Sequence, residues 1–133
     1  MLPLLLAVLL QVPDASVDAA LAGKRVVRRP DQKLVDLVAD FDGDGKADRA
    51  VAVKLANGKD RGVLVLWGSG KPPVLLGAAT DFNHFRDHDF DVWSVRPAKG
   101  KARRDAMVWE WSEKASARIV WTGKAFRWIQ EGD

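Results

Sequence analysis

The residues best suited to chemistry lie in one short stretch, positions 40–48, which reads DFDGDGKAD. Its four carboxylates occupy positions 1, 3, 5 and 9 of the stretch, and Gly45 occupies position 6. Ca²⁺ prefers roughly six to eight oxygen ligands, and calcium loops supply them from alternate positions of a tight turn. In such loops glycine permits the sharp turn, and the next residue, here Lys46, supplies its backbone carbonyl. The spacing therefore predicts a site for a hard divalent cation.

The sequence on either side of the acidic stretch excludes a helical EF-hand. That motif closes its coordination sphere with a bidentate Glu at about position 12 of the loop, where this chain has Val51. Residues 34–39 and 49–55 are apolar runs typical of strands. We therefore expect the loop to join two strands of a β-hairpin, with Asp48 closing the coordination sphere.

The pattern D-x-D-x-D-G-x-x-D resembles the calcium loops of FG-GAP repeats in integrin-type β-propellers and of VCBS-type repeats in bacterial exported proteins. The resemblance covers roughly residues 34–55. It implies that the ligands are the Lys46 carbonyl and the side chains of Asp40, Asp42, Asp44 and Asp48. A propeller needs at least about four blades of about four strands. A chain of 133 residues is too short for that, so its fold must differ from the usual home of the repeat.

The chain as a whole also looks like a group of small bacterial exported proteins of unknown function. These proteins join one such loop to a strand-rich tail that ends in a hairpin with tryptophans, a Gly-Lys turn and an aromatic residue. The corresponding stretch here is residues 119–128, IVWTGKAFRW. The resemblance implies export and calcium binding, and it implies no reaction.

The N-terminal residues have the composition of a secretory signal peptide. A leucine-rich run reaches Val12, which is too short to span a bilayer because a spanning helix needs roughly 20 apolar residues. Residues 17–19 or 20–22 provide the small side chains of a cleavage site. We assign residues 1–20 to a signal peptide and residues 21–133 to a single β-rich domain. No Lys or Arg precedes the run, so an upstream start, a buried helix and a lipid-facing anchor stay open.

The chain contains no cysteine, which excludes disulfides, thiol catalysis and thiolate metal sites. An exported domain without disulfides must be held together by packing or by a metal. The net charge is only +3, and we interpret the basic residues as solvated strand ends and turns. We expect a secreted or periplasmic protein that is not transmembrane after cleavage and has no nucleic-acid partner.

The remaining sequence predicts a mainly β fold: a small antiparallel β-sheet domain, sandwich or meander, with at most one or two short helices. Short runs rich in β-branched and aromatic residues alternate with turn signals such as Asn57-Gly58. One short helix is expected near residues 80–88. A two-residue turn at Gly123-Lys124 would pair Trp121 with Phe126 and Ile119 with Trp128, which places these four side chains on one core face.

Other groups of residues offer weaker candidate sites. His84 and His88 would form a zinc pair on a helix, whereas a hydrated loop is the favoured interpretation. Trp109 and Trp111 share one strand face, which serves either the core, as we favour, or a sugar-stacking platform. Further weak candidates are a second calcium site at Asp87, Asp89 and Asp91, which lacks a glycine, and a glycosidase-like carboxylate pair that Glu110 and Glu113 would form with a loop aspartate.

These patterns predict a non-enzymatic, exported calcium-binding β module in which Ca²⁺ holds the 40–48 loop. A protein or a cell-wall glycan is the expected partner. The alternative is a periplasmic structural or inhibitor-like protein whose calcium is purely structural. An enzyme is the interpretation that the sequence supports least, because two histidines and no cysteine leave few nucleophile–base arrangements.

Overall fold

The computed structural model describes residues 12–100, 103–112 and 115–132. Within these ranges the chain forms one helix and nine strands. Helix α1 covers Asp14–Lys24. The strands, in chain order, are β1 Val26–Arg28, β2 Leu37–Ala39, β3 Asp48–Leu55, β4 Arg61–Leu66, β5 Val74–Gly77, β6 Val92–Arg96, β7 Ala106–Trp111, β8 Ala115–Trp121 and β9 Phe126–Gly132.

The strands form two antiparallel sheets. In the first sheet, β1 and β2 pair with different halves of β3, and β4 and β5 follow on the other side. The second sheet is a meander in the order β6-β7-β8-β9. All strand pairs in both sheets are antiparallel. The predicted fold class, a small and mainly β antiparallel domain, is therefore confirmed.

The alternation of side chains along β3 divides the interior into two parts. Ala50 and Ala52 belong to the core between the two sheets, together with aromatic residues of the second sheet. Val51 and Val53 point to the opposite face and pack in a second cluster with Val17 of helix α1. Because successive strand residues face opposite sides, burial of both sets means that the first sheet is covered on both faces.

Helix α1 packs on the first sheet through Val17, which is fully buried, and through the partly buried Ala20 and Leu21. Arg49 of β3 holds the start of the helix, since it donates to the Val12 carbonyl at 2.9 Å and to the Asp14 carboxylate at 2.7 Å. The helix contains both predicted cleavage positions and the predicted boundary at residue 20. Residues 1–11, the bulk of the predicted signal peptide, lie outside the described residues. Among the described residues, no helix is both long and apolar enough to cross a bilayer.

The helix expected near residues 80–88 is absent, and this prediction was wrong. The described segment consists of turns with one isolated bridge between Phe82 and Phe85. Its backbone enters the left-handed region at two consecutive residues, with φ of 53° at Asn83 and 74° at His84, and Ala79 just before the segment has φ of 89°. A right-handed helix requires negative φ at consecutive residues, so these angles interrupt any helical turn.

The C-terminal hairpin has the predicted register. Trp121 faces Phe126 and Ile119 faces Trp128, and the four side chains pack in or against the core between the sheets. The strand expected over residues 34–39 is shorter, because β2 begins only at Leu37. Leu34 instead closes a turn, with its N–H donating to the Asp31 carbonyl at 3.1 Å.

Candidate metal centre

The acidic loop connects β2 to β3, so the predicted hairpin is present. Ala39 and Asp48 are paired across the two strands at the base of the loop. The chain reverses between them through two glycines with left-handed backbones, Gly43 at φ 76° and Gly45 at φ 88°. An L-residue adopts such angles only with strain. The glycines therefore allow the tight curve that turns the acidic side chains toward one another.

Asp40 organises the loop from its first position. Its Oδ1 accepts hydrogen bonds from the N–H groups of Gly43 at 2.9 Å and Asp44 at 3.1 Å. Its Oδ2 accepts from the N–H of Gly45 at 2.8 Å. Three backbone donors on one carboxylate fix the curvature of the loop and the direction of the side chain at the same time.

Asp42 and Asp44 continue this pattern with shorter-range hydrogen bonds. Asp42 Oδ1 accepts from the Asp44 N–H at 3.4 Å, and Asp44 Oδ1 accepts from the Lys46 N–H at 2.9 Å. The Asp42 side chain is only 5% exposed, and its Oδ2 lies 2.9 Å from the ammonium of Lys71. Asp42 thus faces the interior of the loop, whereas Asp44 is exposed.

Asp48 is the most unusual acid of the site because it is fully buried. Its Oδ2 accepts from the Phe41 N–H and its Oδ1 from the Gly68 N–H, both at 2.8 Å. Burial raises the pKa of the Asp48 carboxyl from 3.8 to about 6. Among the described residues no cationic side chain forms a salt bridge with Asp48. A buried carboxylate in this position lacks a counter-charge from the protein.

Three of the predicted ligands converge. One carboxylate oxygen each from Asp40, Asp42 and Asp48 lies within 4.8 Å of the other two. The fourth predicted acid, Asp44, is not part of this group, and Lys46 takes part in the loop through its N–H, which donates to Asp44 Oδ1. The converging donors are all carboxylate oxygens, the ligand type that Ca²⁺ and Mg²⁺ prefer over softer metals.

The base of the loop is also attached to the second sheet, through Asp105. Asp40 and Asp105 exchange two hydrogen bonds: the Asp40 N–H donates to Asp105 Oδ2 at 3.0 Å, and the Asp105 N–H donates to the Asp40 carbonyl at 2.9 Å. Asp105 Oδ1 also accepts from the Ala98 N–H at 2.8 Å. The sequence analysis did not single out Asp105, because it lies 65 residues from Asp40 and belongs to no acidic pattern.

The carboxylates of the second acidic stretch do not converge on a metal site. Asp87 binds Arg61 through two side-chain hydrogen bonds of 2.8 and 2.7 Å. Asp89 accepts from the indole N–H of Trp111 at 2.8 Å, and Asp91 accepts from the N–H and hydroxyl of Ser112. The three carboxylates bind separate partners, and they do not appear as a metal-holding group within the described residues.

The two histidines do not form a zinc pair. His84 is exposed on a left-handed residue, whereas His88 is buried with its Nε2 3.1 Å from the Phe85 carbonyl. Burial lowers the pKa of His88, which keeps its imidazole neutral at pH 7. The helix that would have placed both rings on one face does not exist.

The two tryptophans of β7 do not form an exposed strip, because Trp109 is fully buried and Trp111 is half-buried. For the carboxylate pair, Glu113 lies outside the described residues.

Comparison of the chain with protein families, curated proteins and solved structures gave no match. The interpretation of the acidic loop therefore rests on its own geometry.

Proposed function

We propose that the chain is a non-enzymatic, exported calcium-binding β module in which Ca²⁺ fastens the 40–48 loop. The observation that carries this proposal is the convergence of the Asp40, Asp42 and Asp48 carboxylates on one point. Three carboxylates held this close repel one another unless a cation lies between them. Ca²⁺ supplies that cation, and its flexible coordination tolerates a mixed set of side-chain and backbone oxygens.

The burial of Asp48 gives independent support. A buried carboxylate is costly unless a counter-charge and hydrogen bonds compensate it. Two backbone N–H groups provide part of the compensation. The ammonium of Lys71 pairs with Asp42 and not with Asp48. A bound divalent cation would supply the charge that Asp48 otherwise lacks.

The position of the loop explains why a metal there would stabilise the whole domain. Asp48 links the loop to Gly68, the second residue after β4, and Asp40 links it to Asp105, directly before β7. A cation bound by Asp40 and Asp48 would therefore connect both sheets. In a chain without disulfides, such a connection takes the place of a covalent crosslink. We infer a structural rather than a regulatory role for the metal.

The experiment that tests this proposal is a calorimetric titration of Ca²⁺ into chelator-treated protein. We expect one site with a dissociation constant on the order of 0.1–1 mM, as in extracellular modules. Asp42→Asn removes one of the converging charges and should weaken binding about tenfold or more. Asp87→Asn, a matched change in the other acidic stretch, should leave the titration unchanged. Absence of binding heat in the wild type, or equal weakening by both variants, would contradict the proposal.

Export is part of the same proposal and has its own test. The mass of the protein recovered from the periplasm or medium of expressing cells would give the mature N-terminus. Cleavage before Asp14 would keep helix α1 on the first sheet. Cleavage after residue 19 or 22 would remove Val17 from the cluster that contains Val51 and Val53. Recovery of the uncleaved chain from the cytosol alone would contradict export.

A further inference from the structure

A second candidate site lies on the opposite side of the aromatic core from the loop. It is a cavity of about 270 Å³ between the 85–89 segment and the edge of the second sheet. Trp111, Trp128, Phe85, His88 and Asp89 line it, and we call it the aromatic pocket. Drug-sized ligands occupy sites of roughly 300–1,000 Å³, so this pocket fits a smaller molecule.

The walls of the aromatic pocket are ring faces held at an angle to one another. The ring centroids of Trp111 and Trp128 are 5.4 Å apart with an interplanar angle of 43°. Phe85 adds a third ring that is 60% exposed. The inclined tryptophans partly enclose a volume, whereas a sugar ring stacks best on a flat, open ring face.

The polar edges of both indoles are already occupied by the protein. Trp111 Nε1 donates to Asp89 Oδ1 at 2.8 Å, and Trp128 Nε1 donates to Gln130 Oε1 at 3.0 Å. A ligand therefore meets the negative π faces of the rings rather than their N–H donors. Such faces attract cations.

The charged groups around the pocket also favour a cationic ligand. Arg61 neutralises Asp87 through a bidentate salt bridge. Asp89 has no salt bridge with any residue that the structure describes. His88 beneath the rings is neutral at pH 7 because burial lowers its pKa. Ring faces beside an unneutralised carboxylate complement a positively charged ligand.

The protein itself contains a filled example of this arrangement. Trp67 and Trp121 lie 4.8 Å apart with an interplanar angle of 58°. The ammonium of Lys71 lies 4.3 Å from the Trp67 ring and 5.3 Å from the Trp121 ring, and 2.9 Å from the Asp42 carboxylate. The aromatic pocket repeats the two inclined tryptophans and the carboxylate, and no described cation–π contact fills it.

From this repetition we propose that the aromatic pocket binds a small quaternary ammonium cation. The methyl groups of such a cation contact the rings of Trp111, Trp128 and Phe85, and its charge is balanced by Asp89. Quaternary ammonium groups suit this chemistry because they carry a charge but have weak hydration and no N–H that needs a partner. The proposal does not depend on calcium binding.

The test is an NMR titration of the ¹⁵N-labelled full chain with choline. The control ligand is dimethylbutanol, in which an uncharged carbon replaces the choline nitrogen. We expect saturable shifts of the Trp111 and Trp128 indole signals with choline, and binding at least about tenfold weaker with dimethylbutanol. The indole of Trp93, which donates to the Val35 carbonyl at 2.8 Å, should not move.

Surface variants separate a ligand site from a structural cluster. Asp89→Asn and Phe85→Ala change exposed side chains and should weaken choline binding about tenfold and about threefold, respectively. Trp128→Leu should abolish it, whereas Trp121→Leu, the same change in the pair that holds Lys71, should not. Equal binding of dimethylbutanol, saturable shifts with chito-oligosaccharide in place of choline, or no saturable shift at all would overturn the proposal.

Discussion

Residues 40–48 and residues 87–91 both carry aspartates at alternate positions, yet only the first stretch brings its carboxylates together. The difference lies in the backbone. The first stretch contains Gly43 and Gly45 in left-handed conformations, whereas the fully described second stretch has neither a glycine nor a left-handed residue. Without such a reversal, successive side chains are directed apart and reach Arg61, Trp111 and Ser112 separately. Alternate acids therefore predict a cation site only where the intervening residues permit a tight curve.

The two stretches also differ in the environment of their acids. Burial raises the pKa of Asp48, and among the described residues no protein cation is paired with it. The hydrogen bonds from Arg61 lower the pKa of Asp87. One carboxylate thus lacks a counter-charge and the other has one from the protein, which makes the following changes informative as matched pairs.

The largest difference is expected from removing each carboxylate in the calcium-free protein. Asp48→Ala leaves the buried N–H groups of Phe41 and Gly68 without acceptors and should lower the free energy of unfolding by about 3 kcal/mol. Asp89→Ala acts on an exposed acid and should cost less than about 1 kcal/mol. Urea denaturation in chelator measures both values. Similar losses for the two variants would mean that the acidic loop is no more important to the fold than the second stretch.

The second largest difference is expected in how stability depends on pH, because Asp48 is buried and Asp87 is paired with Arg61. In the folded state the pKa of the Asp48 carboxyl is about 6, whereas in the unfolded chain it is the ordinary 3.8. The folded state therefore binds more protons between these values, and this contribution to stability is lost as the pH rises through them. In chelator, this effect should lower the free energy of unfolding of the wild type by about 2 kcal/mol between pH 4 and 6, and Asp48→Asn should not show that decrease.

Asp87 should behave in the opposite way, which provides the control for the pH experiment. Its lowered pKa stabilises the folded state above the ordinary aspartate range, and that contribution is lost as the pH falls. Asp87→Asn should therefore change the acidic limb of the stability profile. Chemical denaturation at several pH values would record both profiles, and a flat difference between wild type and Asp48→Asn would contradict the assignment of the buried acid.

The glycine curve can be tested with a smaller change. Gly45 has φ 88° and open space around it, so Gly45→Ala introduces backbone strain without a clash. We expect a cost of about 1 kcal/mol and weaker Ca²⁺ binding by about tenfold. Gly123→Ala, in the turn of the C-terminal hairpin, should have a similar cost and leave the calorimetric titration unchanged. Loss of Ca²⁺ affinity in both variants would indicate an effect of general destabilisation.

The smallest effect is expected at Lys71, whose ammonium pairs with Asp42 of the loop. Lys71→Met removes a partly exposed salt bridge with Asp42 and should lower stability in chelator by less than about 1 kcal/mol. It should strengthen Ca²⁺ binding by about threefold, because an ammonium no longer competes for the carboxylate. Weaker binding in the same calorimetric titration would show that Lys71 supports the metal site instead.

Local patterns predicted the parts of the fold that depend on neighbouring residues. The acidic loop lies between paired strands because the glycines and apolar runs sit next to it. The Gly123-Lys124 turn fixed the pairing of Trp121 with Phe126 because a two-residue turn determines the register. In both regions the deciding signals lie within about ten residues of one another.

The remaining features depend on contacts that local patterns do not contain. The Asp40–Asp105 and Asp48–Gly68 hydrogen bonds join distant segments, and no spacing rule relates those residues. The helix expected near residues 80–88 is interrupted by left-handed backbones at Asn83 and His84, and Ala78 and Ala79 just before it adopt left-handed backbones that alanine rarely adopts. Helix α1 packs through a short stripe, the fully buried Val17 and the partly buried Ala20 and Leu21, and this stripe lies in a segment that the sequence assigns largely to a signal peptide.

The most direct test of the central claim is the melting temperature of the wild-type domain in millimolar Ca²⁺ and in chelator. With a dissociation constant on the order of 0.1 mM, the metal should add about 1.4 kcal/mol of stability. We therefore expect Ca²⁺ to raise the melting temperature by about 5 °C. This rise should fall to about 1.5 °C or less in Asp42→Asn and persist in Asp87→Asn. Superimposable wild-type melts in Ca²⁺ and in chelator, together with no binding heat in the Ca²⁺ titration, would contradict the account.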